Sequence, residues 1–333
     1  MTKPRIRPVR WQPPPVDPLP RLPSPAATVV PLPGHGPEDV VVDADGRLWT
    51  GLVDGRIVRF GTDGGEPTVV AETGGRPLGL HVARDGRVLI CDSHRGLLAL
   101  DPAAGSLETL VAEVAGRPLV FCSNVTETAD GTIYFTESTA DWHFEDFTAG
   151  ILEARGSGAL FRLDTDGSVT TVVDGLYFAN GVTVTADQTA LVFAETQGRR
   201  LSKYWLSGPQ AGTVSPLALH LPGMPDNLST GADGRIWTAM VTPVNTRLEW
   251  LLPRSPLLRQ VVWRLPDRLQ PQIEPEVWAV AFDADSGAPV AGLRTTQPDF
   301  GVVTGLVEAD GRLWMGSISY SAVGHVALAD LAC

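Results

Sequence analysis

Glu38, Asn124, Asn180 and Asp226 occupy matching places in the chain, each a few residues before a tight turn and the apolar run that follows it. Their settings read PEDVVV, CSNVTE, FANGVTV and MPDNLST, and the last adds Asn227 beside Asp226. Two carboxylates and two amide carbonyls are hard oxygen donors. Drawn together they suit Ca²⁺, which takes roughly six to eight oxygens, better than zinc, which prefers nitrogen and sulfur. Two carboxylates brought close also repel unless a cation stands between them. Each residue alone has a simpler use, satisfying backbone groups at a channel entrance. Four at one recurring position argue for a shared ligand.

Convergence requires a fold that brings distant segments to one axis, and the sequence repeats accordingly. DADGRLWTG (43–51) returns as ARDGRVLICD, TADGTIYFTE, TADQTALVFAE, GADGRIWTAM and EADGRLWMGS. The turn residues Asp45, Asp85, Asp130, Asp187, Asp233 and Asp310 lie 40, 45, 57, 46 and 77 residues apart, blade spacing once insertions are allowed. Asp-Gly between apolar strands is a strong hairpin signal. Four-stranded blades cannot bury both faces alone and stack radially, so the expectation is all-β: one six-bladed β-propeller with its innermost strands lining the channel.

The last repeat ends too soon for four strands, so PAATVVPLP near the N-terminus is expected to close that blade and leave no long open edge. Residues 1–25 are proline-rich and read as an extended arm, with the propeller over 26–333. The 77-residue gap holds a cap insertion at about 243–272. There Pro256 can start a helix whose Leu257, Leu258, Val261, Val262 and Leu265 form one stripe, expected to face the propeller. A pocket lid, a homodimer contact through this helix and a membrane contact are its other uses.

Composition excludes some partners. With 38 acidic against 26 basic residues the net charge is -12, which disfavours a nucleic-acid backbone or an anionic membrane and favours a cation. No stretch is expected to span a membrane. Cys91, Cys122 and Cys333 show no zinc spacing and read as structural thiols. With no apolar signal core at the N-terminus, a cytoplasmic protein is expected.

GPEDVVVDADGRLWTGLVDGRIVRF, NVTETADGTIYFTES, FANGVTVTAD and PDNL resemble the calcium-dependent six-bladed propellers that include gluconolactonase/senescence marker protein, the paraoxonases and the strictosidine-synthase-like proteins, with the last branch nearest in style. The likeness covers roughly residues 30–330 and implies a hydrolase of lactones or related esters with Ca²⁺, or another divalent cation, at the base of an axial pocket. It places the metal ligands on Glu38, Asn124, Asn180 and Asp226, with Asn227 as an additional one. Of the paraoxonase histidine dyad the first position falls on Leu78 and only the second on a histidine, His94. The catalytic Glu of authentic strictosidine synthases falls on Thr304, against amine–aldehyde condensation.

Chemistry by a metal and water needs no serine nucleophile, and the chain has no convincing GxSxG elbow. Asp226 is the expected water-activating carboxylate, with His94 the second catalytic candidate. Asp92, Glu137 and Glu195, at the ends of second strands, are either substrate-contacting groups or ordinary strand ends. The loop 138–158, with Trp142, His143, Phe144 and Phe147, is a candidate pocket wall. Two further readings stay open: other chemistry on the same metal propeller (epoxide or phosphotriester hydrolysis, or a lyase or isomerase step), and a non-enzymatic binding propeller.

Overall fold

Six copies of one local rule build the molecule. Five of the six repeats place an Asp-Gly turn between their first two strands, and Gly46, Gly86, Gly131, Gly234 and Gly311 all take positive φ, the region where a Cβ is penalised. The fourth repeat has no glycine there, and Gln188 adopts φ 60° instead. The computed structural model describes residues 3–63 and 65–332; Cys333 lies outside them.

Among the described residues the strands form six four-stranded antiparallel sheets arranged in a ring, a six-bladed β-propeller, and one two-stranded ribbon (Glu113–Val114 with Arg117–Pro118). The innermost strands are Val41–Val42, Pro77–Val82, Cys122–Glu127, Ala179–Val184, Gly223–Thr230 and Val303–Ala309 in blades 1 to 6. Blade 6 is completed from the other end of the chain: Thr28–Pro31 pairs antiparallel with Ala322–Ala327, Thr28 opposite His325 and Pro31 opposite Ala322. Leu48, Val58 and Phe60 of blade 1 pack with Trp314 and Val323 of blade 6, so the ring also closes through apolar burial.

Among the described residues three short α-helices cover one end. Helix α1 (Phe147–Glu153) lies in the loop of blade 3, and α2 (Thr246–Leu251) and α3 (Pro256–Arg264) lie in the insertion of blade 5. Asn245 caps α2 by accepting from the backbone N–H groups of Arg247 and Leu248, and Pro256 stands at the start of α3. The expected stripe is turned mostly outward, with Val262 half-buried against the cap cluster. Leu257, Leu258 and Val261 are exposed, while the inward face carries Arg259 and Trp263. Arg259 is fully buried and donates to the carbonyls of Leu152, Glu153 and Val9. Helix period alone does not tell which of two faces is covered, and here a buried guanidinium that donates to three backbone carbonyls took the inside.

The arm has no regular secondary structure yet is packed down. Ile6 is buried against the cap helices, Val9 N–H donates to Glu153 O and Trp11 N–H to Leu252 O, and Trp263 Nε1 donates to Pro4 O.

Candidate metal centre

The inner strands share a local irregularity that organises the site. In blades 2 to 6 the pairing of the first two strands shifts register across Leu78-Gly79, Ser123-Asn124, Asn180-Gly181, Asp226-Asn227 and Thr304-Gly305. Glu38-Asp39 holds the equivalent place before Val41–Val42 in blade 1. Such bulges re-aim side chains at sheet ends. Of each pair the first residue lines an axial cavity of about 80 Å³ and the second does not: the cavity tier is Glu38, Leu78, Ser123, Asn180, Asp226 and Thr304.

The second tier alternates bulky and bare. Asp39, Asn124 and Asn227 stand in blades 1, 3 and 5, and glycine stands in blades 2, 4 and 6. A Cβ on Gly305 would lie 2.3 Å from Asp39 Oδ1, one on Gly79 2.5 Å from Asn124 Nδ2, and one on Gly181 2.6 Å from Asn227 Cα. Each glycine leaves the space that the next blade fills, with side chain and backbone at Gly79 and Gly305 and with backbone at Gly181.

Hydrogen bonds lock the tiers together. Asn227 Nδ2 donates to both carboxylate oxygens of Glu38 at 3.2 and 3.1 Å. Asn124 Nδ2 donates to Asn227 Oδ1 at 3.0 Å, and its own Oδ1 accepts from Val182 N–H. Asp39 accepts from the backbone N–H groups of Val40 and Leu80 at 2.9 Å each. Asn180 Oδ1 accepts from Ser123 Oγ at 3.2 Å, and its amide donates to Thr196 Oγ1. Thr304 Oγ1 donates to Glu38 O at 2.6 Å, which occupies that hydroxyl in holding the backbone.

Asp226 is the exception. Its Oδ1 is buried and has no partner among the described residues, a costly condition for a carboxylate unless something else binds it. Without a cation, burial drives the Glu38 carboxyl well above its ordinary range, and the nearby Asp226 and Asp39 charges add to this. Burial likewise raises Asp226 to about 8 and Asp39 to about 7. The positive group acting on Glu38 is Arg76, itself buried with its basicity lowered by desolvation. Three carboxylates against one guanidinium leave two negative charges, and the donor set is all oxygen. These residues fit a divalent cation of the Ca²⁺ class. Among the described residues no group of three or more His, Cys, Asp or Glu is placed to hold a metal by itself, so amide and hydroxyl oxygens must contribute.

The structure thus brings Glu38, Asn180 and Asp226 to one cavity and sets Asn124 and Asn227 directly behind them. His94 is elsewhere. It is partly exposed, its Nε2 lies 2.9 Å from Glu145 Oε1, its ring stacks on His143 at 4.5 Å, and it does not line the cavity. Asp92, Glu137 and Glu195 are buried staples: Asp92 accepts from the backbone N–H groups of Arg76, His94 and Arg95, Glu137 from Arg117 and Val120 N–H, and Glu195 from Arg200 and Tyr177 N–H. Sequence reasoning did not single out Asp39, Ser123 or Thr196. The bulge doublet preceding each repeat was the signal that would have found the first two.

Above the polar floor the walls are apolar. Phe144, Phe147 and Ile151 come from the α1 loop, Phe121 and Phe178 from the entries to blades 3 and 4, and Met224, Val241 and Ile273 from blade 5 and its insertion. Trp142 and His143 of the same loop do not reach the cavity.

The sequence pattern of the strictosidine synthase family matches residues 124–209, and that of the strictosidine synthase-like N-terminal region matches residues 25–60. Strictosidine synthase-like protein 4 of Arabidopsis thaliana is 31% identical over 88% of this chain and 80% of its own length. Protein 13 of the same series is 34% identical over 69% of this chain, which covers 64% of that relative, slightly under two thirds. Among solved structures, a gluconolactonase of Xanthomonas campestris aligns over 98% of both chains with TM-score 0.66 and 17% identity. The calcium-binding regucalcin of Agrobacterium tumefaciens aligns over 91% of this chain and 94% of its own with TM-score 0.63 and 17% identity. At these identities the structural likeness speaks for the fold.

Proposed function

The chain belongs to the strictosidine synthase-like family, and from that premise we propose that it is a Ca²⁺-dependent hydrolase of lactones or related esters with a largely apolar body. The observation that carries this reading is Asp226 Oδ1, buried and unpartnered beside Glu38 at the floor of an apolar cavity. The names of the regucalcin and gluconolactonase neighbours, a calcium-binding protein and a lactone-acting enzyme, support the same direction.

Glu38, Asn180 and Asp226 would hold the cation from the cavity side, and Asn124 and Asn227 would orient them from behind and lend amide oxygens. Bound there, Ca²⁺ supplies electrophilic stabilisation of charge developing on a substrate carbonyl oxygen. Asp226 would take a proton from water as the water oxygen bonds to the carbonyl carbon. The ester C–O bond then breaks, and the departing oxygen takes that proton from Asp226, leaving acid and alcohol and the carboxylate restored. The phenylalanines above the floor exclude bulk water and hold the hydrophobic part of the substrate. Thr304 offers no acid or base, which removes support for amine–aldehyde condensation.

The test is turnover of a panel of alkyl lactones and aryl esters by protein stripped with EDTA and reloaded with Ca²⁺. Hydrolysis that vanishes on stripping and returns on reloading supports the reading. Activity indifferent to EDTA contradicts it.

A further inference from the structure

The whole-chain charge of -12 conceals an uneven distribution. Residues 3–10 carry Lys3, Arg5, Arg7 and Arg10 and no acid, and residues 246–269 carry five arginines against Glu249 and Asp267. Glu249 is paired with Arg199 at 2.9 Å. Seven arginines of these two segments are exposed: Arg5, Arg7, Arg10, Arg247, Arg254, Arg264 and Arg268.

The same segments carry the exposed apolar side chains. Leu257 is 68% exposed, Val261 61%, Leu269 60% and Trp250 56%, with Leu258 and Val9 also exposed. The arm is bonded along α3 through Trp263 to Pro4 O, Gln260 to Ile6 O and Arg259 to Val9 O, which sets the arm's arginines and Val9 beside that helix. Arg254 lies over the Trp250 ring at 3.7 Å, an aromatic face and a cation presented together. Exposed apolar side chains gathered on neighbouring segments mark an interaction surface.

We propose that this cap face seats the protein on an anionic lipid surface. Leucine, valine and tryptophan side chains enter the headgroup boundary while the surrounding arginines meet lipid phosphates and carboxylates. A second copy of the chain is the poorer occupant, because a two-fold contact would set the same arginines against each other. Among the described residues no helix is long and apolar enough to cross a membrane, so seating takes place at the surface.

The experiment is co-sedimentation of the full chain with phosphatidylcholine vesicles with and without phosphatidylserine, at low and high salt. The wild type is expected to bind the anionic vesicles, several-fold less at high salt, and the neutral ones weakly. Leu257→Glu/Val261→Glu is expected to lose binding by at least about tenfold, and so is Arg264→Glu/Arg268→Glu. All four positions are solvent-exposed, and unchanged thermal unfolding checks that the variants fold. Val290→Glu, an exposed apolar site on the outer strand of blade 5, is expected to bind as the wild type does. Absence of binding to anionic vesicles overturns the proposal, as does binding that survives both double substitutions. A dimer in solution that Leu257→Glu/Val261→Glu dissociates, with no vesicle binding, assigns the face to self-association instead.

Discussion

Replacing Asp226 with Asn keeps the size of the side chain and one oxygen donor while removing a charge and a proton acceptor. Metal affinity is expected to fall, and turnover to stay at least about a hundredfold down even in excess Ca²⁺, the scale of a lost general base. Asn180→Ala removes a donor without touching the base, so excess Ca²⁺ should restore a good part of its activity by mass action. A Ca²⁺ titration of turnover in both variants separates the roles, and full recovery of Asp226→Asn would place the base elsewhere. The carboxylates also make a prediction about pH. Without metal, Glu38, Asp39 and Asp226 hold protons in the folded state that an unfolded chain releases near pH 4. The folded protein therefore binds more protons than the unfolded one between about pH 4 and 8, and stability falls as pH rises through that window. A cation that binds the ionised forms reverses this. Thermal unfolding should show the EDTA-treated protein less stable at about pH 8 than at about pH 5.5, with the Ca²⁺-induced gain larger at the higher pH. A Ca²⁺ gain independent of pH would mean the cation binds away from these groups.

At the scale of elements, the bulged strand ends and the cap decide what the site can be. Gly181→Ala places a methyl group 2.4 Å from Leu228 N and 2.6 Å from Asn227 Cα. Because both contacts are backbone, it should cost about 1–3 kcal/mol and weaken Ca²⁺ binding by displacing Asn227. Gly208→Ala, at an open position with positive φ, controls for backbone strain alone, and equal Ca²⁺ affinities in the two would refute the tier packing. The arm predicts a graded truncation. Removing residues 1–20 strips Ile6, Val9 and Trp11 from the cap but leaves Thr28–Pro31 in blade 6, so the propeller should stay folded while residues 246–264 become sensitive to protease. Removing residues 1–33 opens blade 6 and should unfold the chain, and indistinguishable melting and proteolysis of the two truncations would contradict this. The blades were legible in the sequence because one hairpin turn, Asp-Gly in five repeats and Asp187-Gln188 in the fourth, is local chemistry repeated six times. So was the closing strand, from the shortfall in the last repeat. The facing of α3 was not legible, since Leu257 and Val261 satisfy a helical stripe as well as Arg259 and Trp263 do. The two tiers were half legible: Glu38, Asn180 and Asp226 stood out by type, whereas Asp39 is hidden beside Glu38 and the role of Gly79, Gly181 and Gly305 appears only when neighbouring blades meet.

For the whole molecule, the ring solves a problem that no blade solves alone. Six strand ends from residues 38 to 304 meet at one axis, three carboxylates accumulate there with a single buried arginine nearby, and the apolar walls and cap deny them water. Rigid blade cores such as Trp49, Trp237, Trp278 and Trp314, all fully buried, hold that strained electrostatic arrangement in place, so the centre should be empty or filled without the fold changing. His94, paired with Glu145 away from the cavity, is expected to tolerate His94→Gln with less than about a threefold change in turnover, and a hundredfold loss would require it to reach the substrate in another conformation. The most direct measurement is a crystal structure of the protein grown in Ca²⁺, with anomalous scattering to identify the ion. The account predicts one Ca²⁺ on the axis, about 2.3–2.6 Å from oxygens of Glu38, Asn180 and Asp226. An empty axial site at saturating Ca²⁺, with Asp226 Oδ1 bonded to water alone, would contradict it.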